Sequence, residues 1–471
     1  MNILYVVSEA APFIKTGGLG DVAGSLPAAL AREGHDVRVM LPLYSKIPEE
    51  WRTKMEFLFH TSVTLSWRKQ YCGLFKLDHD GVTYYFLDNE YYFSRPSVYG
   101  EFDDGERFGF FCRGVIELLP LLDWRPEVIN CNDWQTALIP IYLRYEPAEF
   151  YRGIKTVYTI HNIEYQGRFS KWVSDDIFGL PQELFTDGYT RYEDGIDLMK
   201  GAIYKADAVT TVSESYAYEL REPYFACGLH AVIADNFYKF TGILNGIDME
   251  RFNPSKDAAL PKKFSAARPA GKRECKAALC RELGLDENDQ GPIIACISRL
   301  VGHKGFDMVA GSIDRLMQKN LRLVILGTGD ADFEARFKEA ESRYPGRISA
   351  NIMYSEKRAS LIYAGADMLL MPSKSEPCGL SQMIAMRYGT LPIVHAVGGL
   401  KDTVRNYRSE NANGFVFYDC SSDAMLGAID DALNTFEDKP AWKALMRTAM
   451  SEDSSWDCSA KKYLEIYECL I

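Results

Sequence analysis

Residues 371–394, MPSKSEPCGLSQMIAMRYGTLPIV, change their apolar–polar order three times in a short span. Residues 367–372 read as a buried strand, 373–379 as a polar loop, 380–388 as a helix and 391–394 as the next strand. A strand, a short loop, a helix and another strand make a parallel α/β unit. In an open α/β sheet, ligands bind in the crevice beyond the carboxyl ends of the strands. Glu376 falls at that edge, followed by Cys378, Gly379 and Leu380 where the helix begins. Amides at a helix start suit an anion, while a carboxylate accepts hydroxyl donors. The plainer alternative is that Ser375 and Glu376 only cap the helix.

The same order recurs on both sides of this stretch. Residues 2–7 form a short apolar strand leading into Lys15, Thr16, Gly17, Gly18, Leu19, Gly20 and Asp21. A helix follows with Val22, Leu26, Ala29 and Leu30 on one face, and a second strand covers residues 37–42, which completes a βαβ opening. The glycine loop has neither the dinucleotide spacing nor that of a P-loop. Gly17 and Gly18 would still let backbone amides approach a phosphate, with Lys15 adding charge, or they make only a tight turn. A hairpin is expected from residues 71–77 and 82–87 around Asp80-Gly81, so Asp78 and Asp80 belong to a turn and not to a metal site.

Further strands at 127–131 and 155–160 end in Asn132-Asp133-Trp134 and His161-Asn162, and another lies at 206–212. Three strand ends thus deliver polar groups to one sheet edge, which points to a site. The chain changes character near residues 250–258. Strands then restart at 293–298, 321–326, 367–371 and 391–394, each followed by a helical stretch. Arg299 and Lys304 follow the first of these strands. They make a local positive field suited to a diphosphate that gains charge as it leaves, although two solvated cations would look the same. Trp456, Ala460, Tyr463, Tyr467 and Leu470 mark an amphipathic terminal helix.

Composition sets limits on the function. The 471 residues, 47% hydrophobic and 25% charged, suit a soluble globular protein of two domains, and the net charge of −12 argues against nucleic acid as a partner. No apolar run approaches the ~18 residues of a membrane span. The eleven scattered cysteines include no C-x-x-C pair, so there is no zinc signature, and a reducing, cytoplasmic setting is expected.

Lys15-Thr16-Gly17-Gly18-Leu19-Gly20-Asp21, Asn132-Asp133-Trp134, Thr159-Ile160-His161-Asn162, Asn245-Gly246-Ile247-Asp248, Ser298-Arg299 with Lys304-Gly305, and Glu376-Pro377-Cys378-Gly379-Leu380 together resemble the bacterial glycogen synthases. These are retaining glycosyltransferases related to plant starch synthases, and the likeness covers nearly the whole chain. It implies a GT-B-like α/β fold of two Rossmann-like, doubly wound domains facing a cleft. Residues 1–250 would form the acceptor side and 251–455 the nucleotide-sugar side, with 456–471 returning to the first domain. The implied activity is transfer of glucose from ADP-glucose to the non-reducing end of an α-1,4-glucan such as glycogen, with retention and without metal or cofactor.

By the same resemblance Arg299 and Lys304 would hold the diphosphate under the loop of Lys15, Gly17 and Gly18. Asp21, Asn245 and Tyr354 would surround the nucleotide. Glu376 would meet the donor glucose beside the amides of Cys378, Gly379 and Leu380. Asp133, His161 and Asn162 would line the transfer site, and Trp134 would stack on the acceptor. The sequence departs from relatives at Asn130 and Asn132, where His is frequent, at Ser375, where an aromatic is frequent, and at Ile384, where related enzymes carry a second Glu. A phosphorylase-like enzyme and a non-catalytic glucan-binding protein are the rival classes; the first would need pyridoxal phosphate on a lysine, and the second would not release ADP.

Overall fold

Short apolar runs become the strands of two separate, mainly parallel sheets in a computed structural model that describes residues 1–471. The first unit comprises Met1–Gly246 and Trp456–Ile471, the second Ile247–Ser455.

In the first unit the strands are β1 (Asn2–Val6), β2 (Asp36–Pro42), β3 (Glu56–Leu65), β4 (Arg68–His79), β5 (Val82–Asp88), β6 (Val128–Asn132), β7 (Lys155–Ile160), β8 (Arg168–Ser170), β9 (Arg191–Tyr192), β10 (Gly195–Asp197), β11 (Ala208–Thr211) and β12 (Phe240–Gly242). Nine of them make one sheet in the order β12-β11-β7-β6-β1-β2-β5-β4-β3. Pairing is parallel from β12 through β5, and β4 and β3 extend the edge as antiparallel strands. The central strand β1 is buried on both faces, the usual state of a strand covered by helices on each side. The expected hairpin is β4–β5. His79 pairs with Val82, and the two turn residues Asp80 and Gly81 have φ of 50° and 76°, which is why Asp-Gly is the sequence found there.

The terminal helix Trp456–Leu470 buries Trp456, Ala460, Tyr463 and Tyr467. It is tied to the first unit by Ser459, which donates to the carbonyl of Leu244 at 2.5 Å, and by the Tyr467 hydroxyl, which accepts from Asn130 Nδ2 at 2.9 Å. Asn130 is therefore a structural residue inside the sheet.

In the second unit β13 (Ile293–Ile297), β14 (Arg322–Leu326), β15 (Ile348–Asn351), β16 (Met368–Met371), β17 (Leu391–His395) and β18 (Phe415–Phe417) form one wholly parallel sheet in the order β15-β14-β13-β16-β17-β18. The sequence reading lacks the two edge strands β15 and β18. They are only four and three residues long, too short for a buried run to stand out.

Both sheets reverse their winding once. In the first, β2 and β6 lie on opposite sides of β1; in the second, β14 and β16 lie on opposite sides of β13. The loops leaving two adjacent strands diverge at such a switch point and open a crevice at the carboxyl ends. The glycine loop follows β1 and Asp133 follows β6. Arg299 and Lys304 follow β13, and Glu376 follows β16. Each unit thus puts its candidate residues at its own switch point.

Candidate functional site

In the first unit, the residue that shapes the glycine loop is Glu9, which sequence reasoning passed over. Its buried carboxylate accepts from the Thr16 backbone N–H and hydroxyl, each at 2.6 Å, and from the Gly20 N–H at 3.2 Å. The helix Gly18–Arg32 begins at Gly17, which has no side chain to cap it, so Glu9 supplies the missing acceptor from the end of β1. A negative charge at a helix N-terminus is also favoured by the helix dipole. Burial nonetheless raises the Glu9 pKa, and the amides of Thr16, Gly20 and Gly17 oppose that rise. These amides turn toward a protein carboxylate, so the loop lacks the empty ring of amides found in a P-loop. Its cation, Lys15, pairs with Asp21 at 2.8 Å.

Across the switch point, Asp133 holds a left-handed backbone conformation with φ of 56°. Its carboxylate accepts from the backbone N–H groups of His161 at 2.8 Å and Asn162 at 3.4 Å, which joins the end of β6 to the end of β7. Desolvation pushes its pKa up to about 7 despite those two donors. The His161 ring is set by Asn132, whose Oδ1 lies 2.9 Å from His161 Nε2. Asn132 Nδ2 faces the carbonyl of Val6 at 2.9 Å and Oδ1 of Asn130 at 3.2 Å, so its Oδ1 is the acceptor and His161 Nε2 carries the proton. Nδ1 is then left as a lone pair able to accept a hydroxyl hydrogen. Asn132, a departure at sequence level, is thereby the residue that fixes the tautomer. Asn162 folds back on itself, its Oδ1 accepting from the Glu164 N–H at 3.0 Å.

Burial lowers the His161 pKa to about 3. The native ring stays neutral where an unfolded histidine, with a pKa near 6.5, takes up a proton. The unfolded state therefore binds more protons as pH falls from about 6.5 toward 3, and stability falls with it. His161→Gln removes this contribution, so its melting temperature should fall less steeply than that of the unaltered protein between pH 7 and 5. Parallel melting curves over that range would contradict a neutral His161.

Trp134 packs edge-on against Phe108 with centroids 5.3 Å apart and tilts against Phe169 at 5.7 Å. Gly167, with φ of 68°, passes so close that a Cβ there would come within 2.8 Å of the indole. Trp134 borders a cavity of about 360 Å³ whose lining includes Asp104, Glu164, Tyr165, Gln166 and Phe169. This mixture of rings and polar groups suits a polyhydroxylated ligand. Asn245, beyond β12, is buried with its Oδ1 unpaired.

In the second unit the loops after β13 and β16 lock together. Lys304 Nζ lies 2.7 Å from both carboxylate oxygens of Glu376, and Ser373 Oγ donates to Glu376 Oε2 at 2.9 Å. The helix Ser381–Arg387 starts at Leu380 with no side-chain cap, so the capping alternative for Ser375 and Glu376 is overturned: the Glu376 side chain is committed to Lys304. Gly305, with φ of 77°, lets the Lys304 loop pass so near the Pro372 carbonyl that a Cβ would sit 2.0 Å from it. Gly398, with φ of 43°, does the same beside the Glu376 carbonyl, which accepts from the Gly399 N–H at 3.1 Å. His395 sets its ring nitrogens against the carbonyl oxygens of Ser373 (2.7 Å) and Tyr418 (3.2 Å). Ser373, His395 and Gly398 were not foreseen; the Gly-Gly pair after β17 was the available signal.

Arg299 is exposed and makes no ion pair with the protein, the state expected of a cation kept for a ligand. Cys378 is buried, and the Gln382 side chain donates to the carbonyls of Cys378 (3.1 Å) and Gly379 (2.7 Å), shaping the turn before Leu380. Tyr354 follows β15 and is exposed, its hydroxyl 3.0 Å from Glu356.

Comparison with known proteins agrees with this architecture. Residues 2–235 match the starch synthase catalytic domain family, and residues 284–444 match the glycosyl transferases group 1 family. A solved catalytic domain of starch synthase IV from Arabidopsis thaliana, bound to ADP and acarbose, is similar over 100% of this chain and 99% of its own, with a TM-score of 0.91 and 32% identity. A sucrose-phosphate synthase from Thermosynechococcus elongatus shares the fold at a TM-score of 0.63 and 17% identity. Two doubly wound units with polar constellations at their switch points are those of a GT-B glycosyltransferase. Glycogen synthases of Clostridium botulinum and Clostridium perfringens are 46% and 47% identical to this chain over 99% and 100% of its length, covering 99% and 98% of theirs, and that of Geobacillus stearothermophilus is 45% identical over 100%, covering 98% of its own. The chain belongs to the glycogen synthase family, and is a hexosyltransferase that transfers glucosyl units in glycogen synthesis.

Proposed function

We propose that the protein transfers glucose from ADP-glucose to the non-reducing end of an α-1,4-glucan, with retention of configuration and without a metal ion. The observation that carries this reading is the clasp of Lys304 on Glu376 at the switch point of the second sheet, in the loop that also carries Arg299. Two cations there suit a nucleoside diphosphate leaving group, and a carboxylate held by Lys304 and Ser373 suits the hydroxyls of the donor glucose. Lys304 uses two N–H groups on Glu376 and keeps a third for a phosphate oxygen. In the first unit Lys15 is the cation of a loop whose amides are engaged by Glu9. His161, with Nδ1 as acceptor, and Asp133 line the transfer site, and the cavity beside Trp134 takes the acceptor chain. The Arabidopsis enzyme is bound to ADP and acarbose, which supports a nucleotide donor and an oligosaccharide acceptor for this chain. None of the eleven cysteines is in a disulfide, which fits a cytoplasmic location, and no helix is long and apolar enough to cross a membrane.

The metal-free part of the reading rests on the cations of the second unit. Arg299 and Lys304 provide positive charge for the diphosphate, and no group of three or more His, Cys, Asp or Glu side chains is placed to hold a metal. The test follows nucleotide release from ADP-glucose or UDP-glucose with glycogen as acceptor, with and without EDTA. ADP-glucose should give the higher kcat/KM, and chelation should leave the rate intact. Preference for UDP-glucose, or loss of activity restored by Mg²⁺ or Mn²⁺, would overturn the corresponding part of the reading.

A further inference from the structure

We propose that Gln382 is a positioning residue for the donor: its side-chain amide turns the N–H groups of Gly379 and Leu380 outward to the nucleotide-sugar. This rests on the donor reading above. Gln382 lies in the first turn of the helix Ser381–Arg387 and is fully buried. Its Nε2 donates to the carbonyls of Gly379 at 2.7 Å and Cys378 at 3.1 Å, and also faces Thr403 Oγ1 at 3.2 Å. The Thr403 hydroxyl gives its own hydrogen to the Gly399 carbonyl at 2.6 Å, so toward Gln382 it is an acceptor. Three acceptors around one atom of the amide identify that atom as the nitrogen.

A trans peptide carries its C=O and the following N–H on opposite sides, and both peptides here are trans. Holding the Cys378 carbonyl against the buried Gln382 therefore turns the Gly379 N–H outward, and holding the Gly379 carbonyl there does the same for the Leu380 N–H. Neither N–H has an acceptor within the protein, and both residues are only half-buried. Gly379 has φ of 72°, and a Cβ on it would lie 2.6 Å from Gln382 Oε1, so the amide fills the space that a side chain would take. The next loop closes the segment from another direction: a Cβ on Gly399 would lie 2.1 Å from the Cys378 carbonyl oxygen.

Packing alone does not require a glutamine at this position. Its Oε1 is buried and has no donor, a cost that a methionine of similar volume would not carry. What glutamine adds is a pair of N–H donors, and these set the orientation of the Cys378 and Gly379 carbonyls. The peptides so oriented belong to the loop of Glu376, whose carboxylate lies 2.7 Å from Lys304 Nζ at the carboxyl edge of β16. Outward N–H groups in a loop that carries this ion pair suit the oxygens of a nucleotide-sugar, provided that they are fixed before it arrives.

The test compares Gln382→Met and Gln382→Glu with the unaltered protein, by kinetics with ADP-glucose and by calorimetric titration with ADP alone, below the melting temperature of each variant. Methionine keeps the volume and removes both donors. Its kcat/KM for ADP-glucose should fall about 10- to 100-fold and its affinity for ADP about tenfold, while KM for glycogen stays within about twofold. Glutamate keeps the shape but cannot donate while ionised. Burial against two carbonyls favours its protonated form, whose O–H can donate to the Gly379 carbonyl. The rate of Gln382→Glu, taken as a ratio to the unaltered protein to cancel groups common to both, should therefore rise as pH falls from about 8 to about 6. For Gln382→Met the ratio should stay flat, which a side chain that only fills space would show in both variants. Unchanged kcat/KM and ADP affinity in Gln382→Met, a glycogen KM raised as much as the donor KM, or a flat ratio for Gln382→Glu would each overturn the proposal. The pH ratio decides alone if Gln382→Met does not fold. An unaltered protein that binds ADP but transfers no glucose would sink the transferase reading and leave the ADP comparison readable.

Discussion

Arg299→Ala is expected to lower kcat by about 10²- to 10³-fold, the cost of removing one preorganised donor from a developing oxyanion. Donor KM should change little and the fold should be as stable as before. The basis is that Arg299 is exposed and has no ionic partner in the protein, so its removal strands no carboxylate. Negative charge on a nucleoside diphosphate grows as its glycosidic bond breaks. A cation beside it therefore binds the transition state more strongly than the intact donor, and its loss appears in kcat. Arg299→Lys should recover only part of the rate, because a compact ammonium does not reproduce a planar fork of donors. Steady-state kinetics with ADP-glucose varied at saturating glycogen decides the matter. A raised KM with unaltered kcat would make Arg299 a ground-state binder and remove it from the leaving-group role.

The central strands of both large sheets and the helices between them were legible because each follows from a local pattern of a few residues. The hairpin at Asp80-Gly81 is the clearest case, since its turn needs positive φ at both positions and the sequence offers the pair that tolerates it. The switch points were not legible in the same way. That β1 lies between β2 and β6, and β13 between β14 and β16, depends on strand order, which no single stretch encodes. The candidate residues were therefore found one loop at a time, without the partners that hold them. Glu9 lies at the end of an ordinary strand and becomes informative only when the Thr16 and Gly20 amides meet on it. Asn132 read as a departure from relatives, yet it orients His161 across 29 residues of sequence. The choice between a helix cap and a ligand carboxylate at Glu376 rested on Lys304, 72 residues away. Side-chain pairing between successive βα loops is a tertiary property, and propensity and spacing carry no trace of it.

That last pair sets the largest expected effect on stability. Glu376 is buried and its two oxygens share one ammonium, with Ser373 as the remaining donor. Lys304→Ala leaves a buried carboxylate with a single neutral hydrogen bond, and breaking a buried pair from one side costs about 3–5 kcal/mol. For a unit of this size that corresponds to a fall in Tm of roughly 6–20 °C, alongside a loss of kcat of about 10²- to 10³-fold. Glu376→Ala should cost less stability, because the longer Lys304 side chain can carry its charge toward water. In the double variant the stranded charge is gone, so most of the stability lost in Lys304→Ala should return while activity stays absent. Lys304→Arg separates the two roles further. A guanidinium pairs well with a carboxylate and should restore the fold, but it does not return the compact ammonium with one N–H left for phosphate, so the rate should remain low. Denaturation of the four proteins, taken as a double-mutant cycle, measures the coupling directly. A coupling below about 0.5 kcal/mol would mean that the two loops are held by their backbones alone, through the close passages at Gly305 and Gly398.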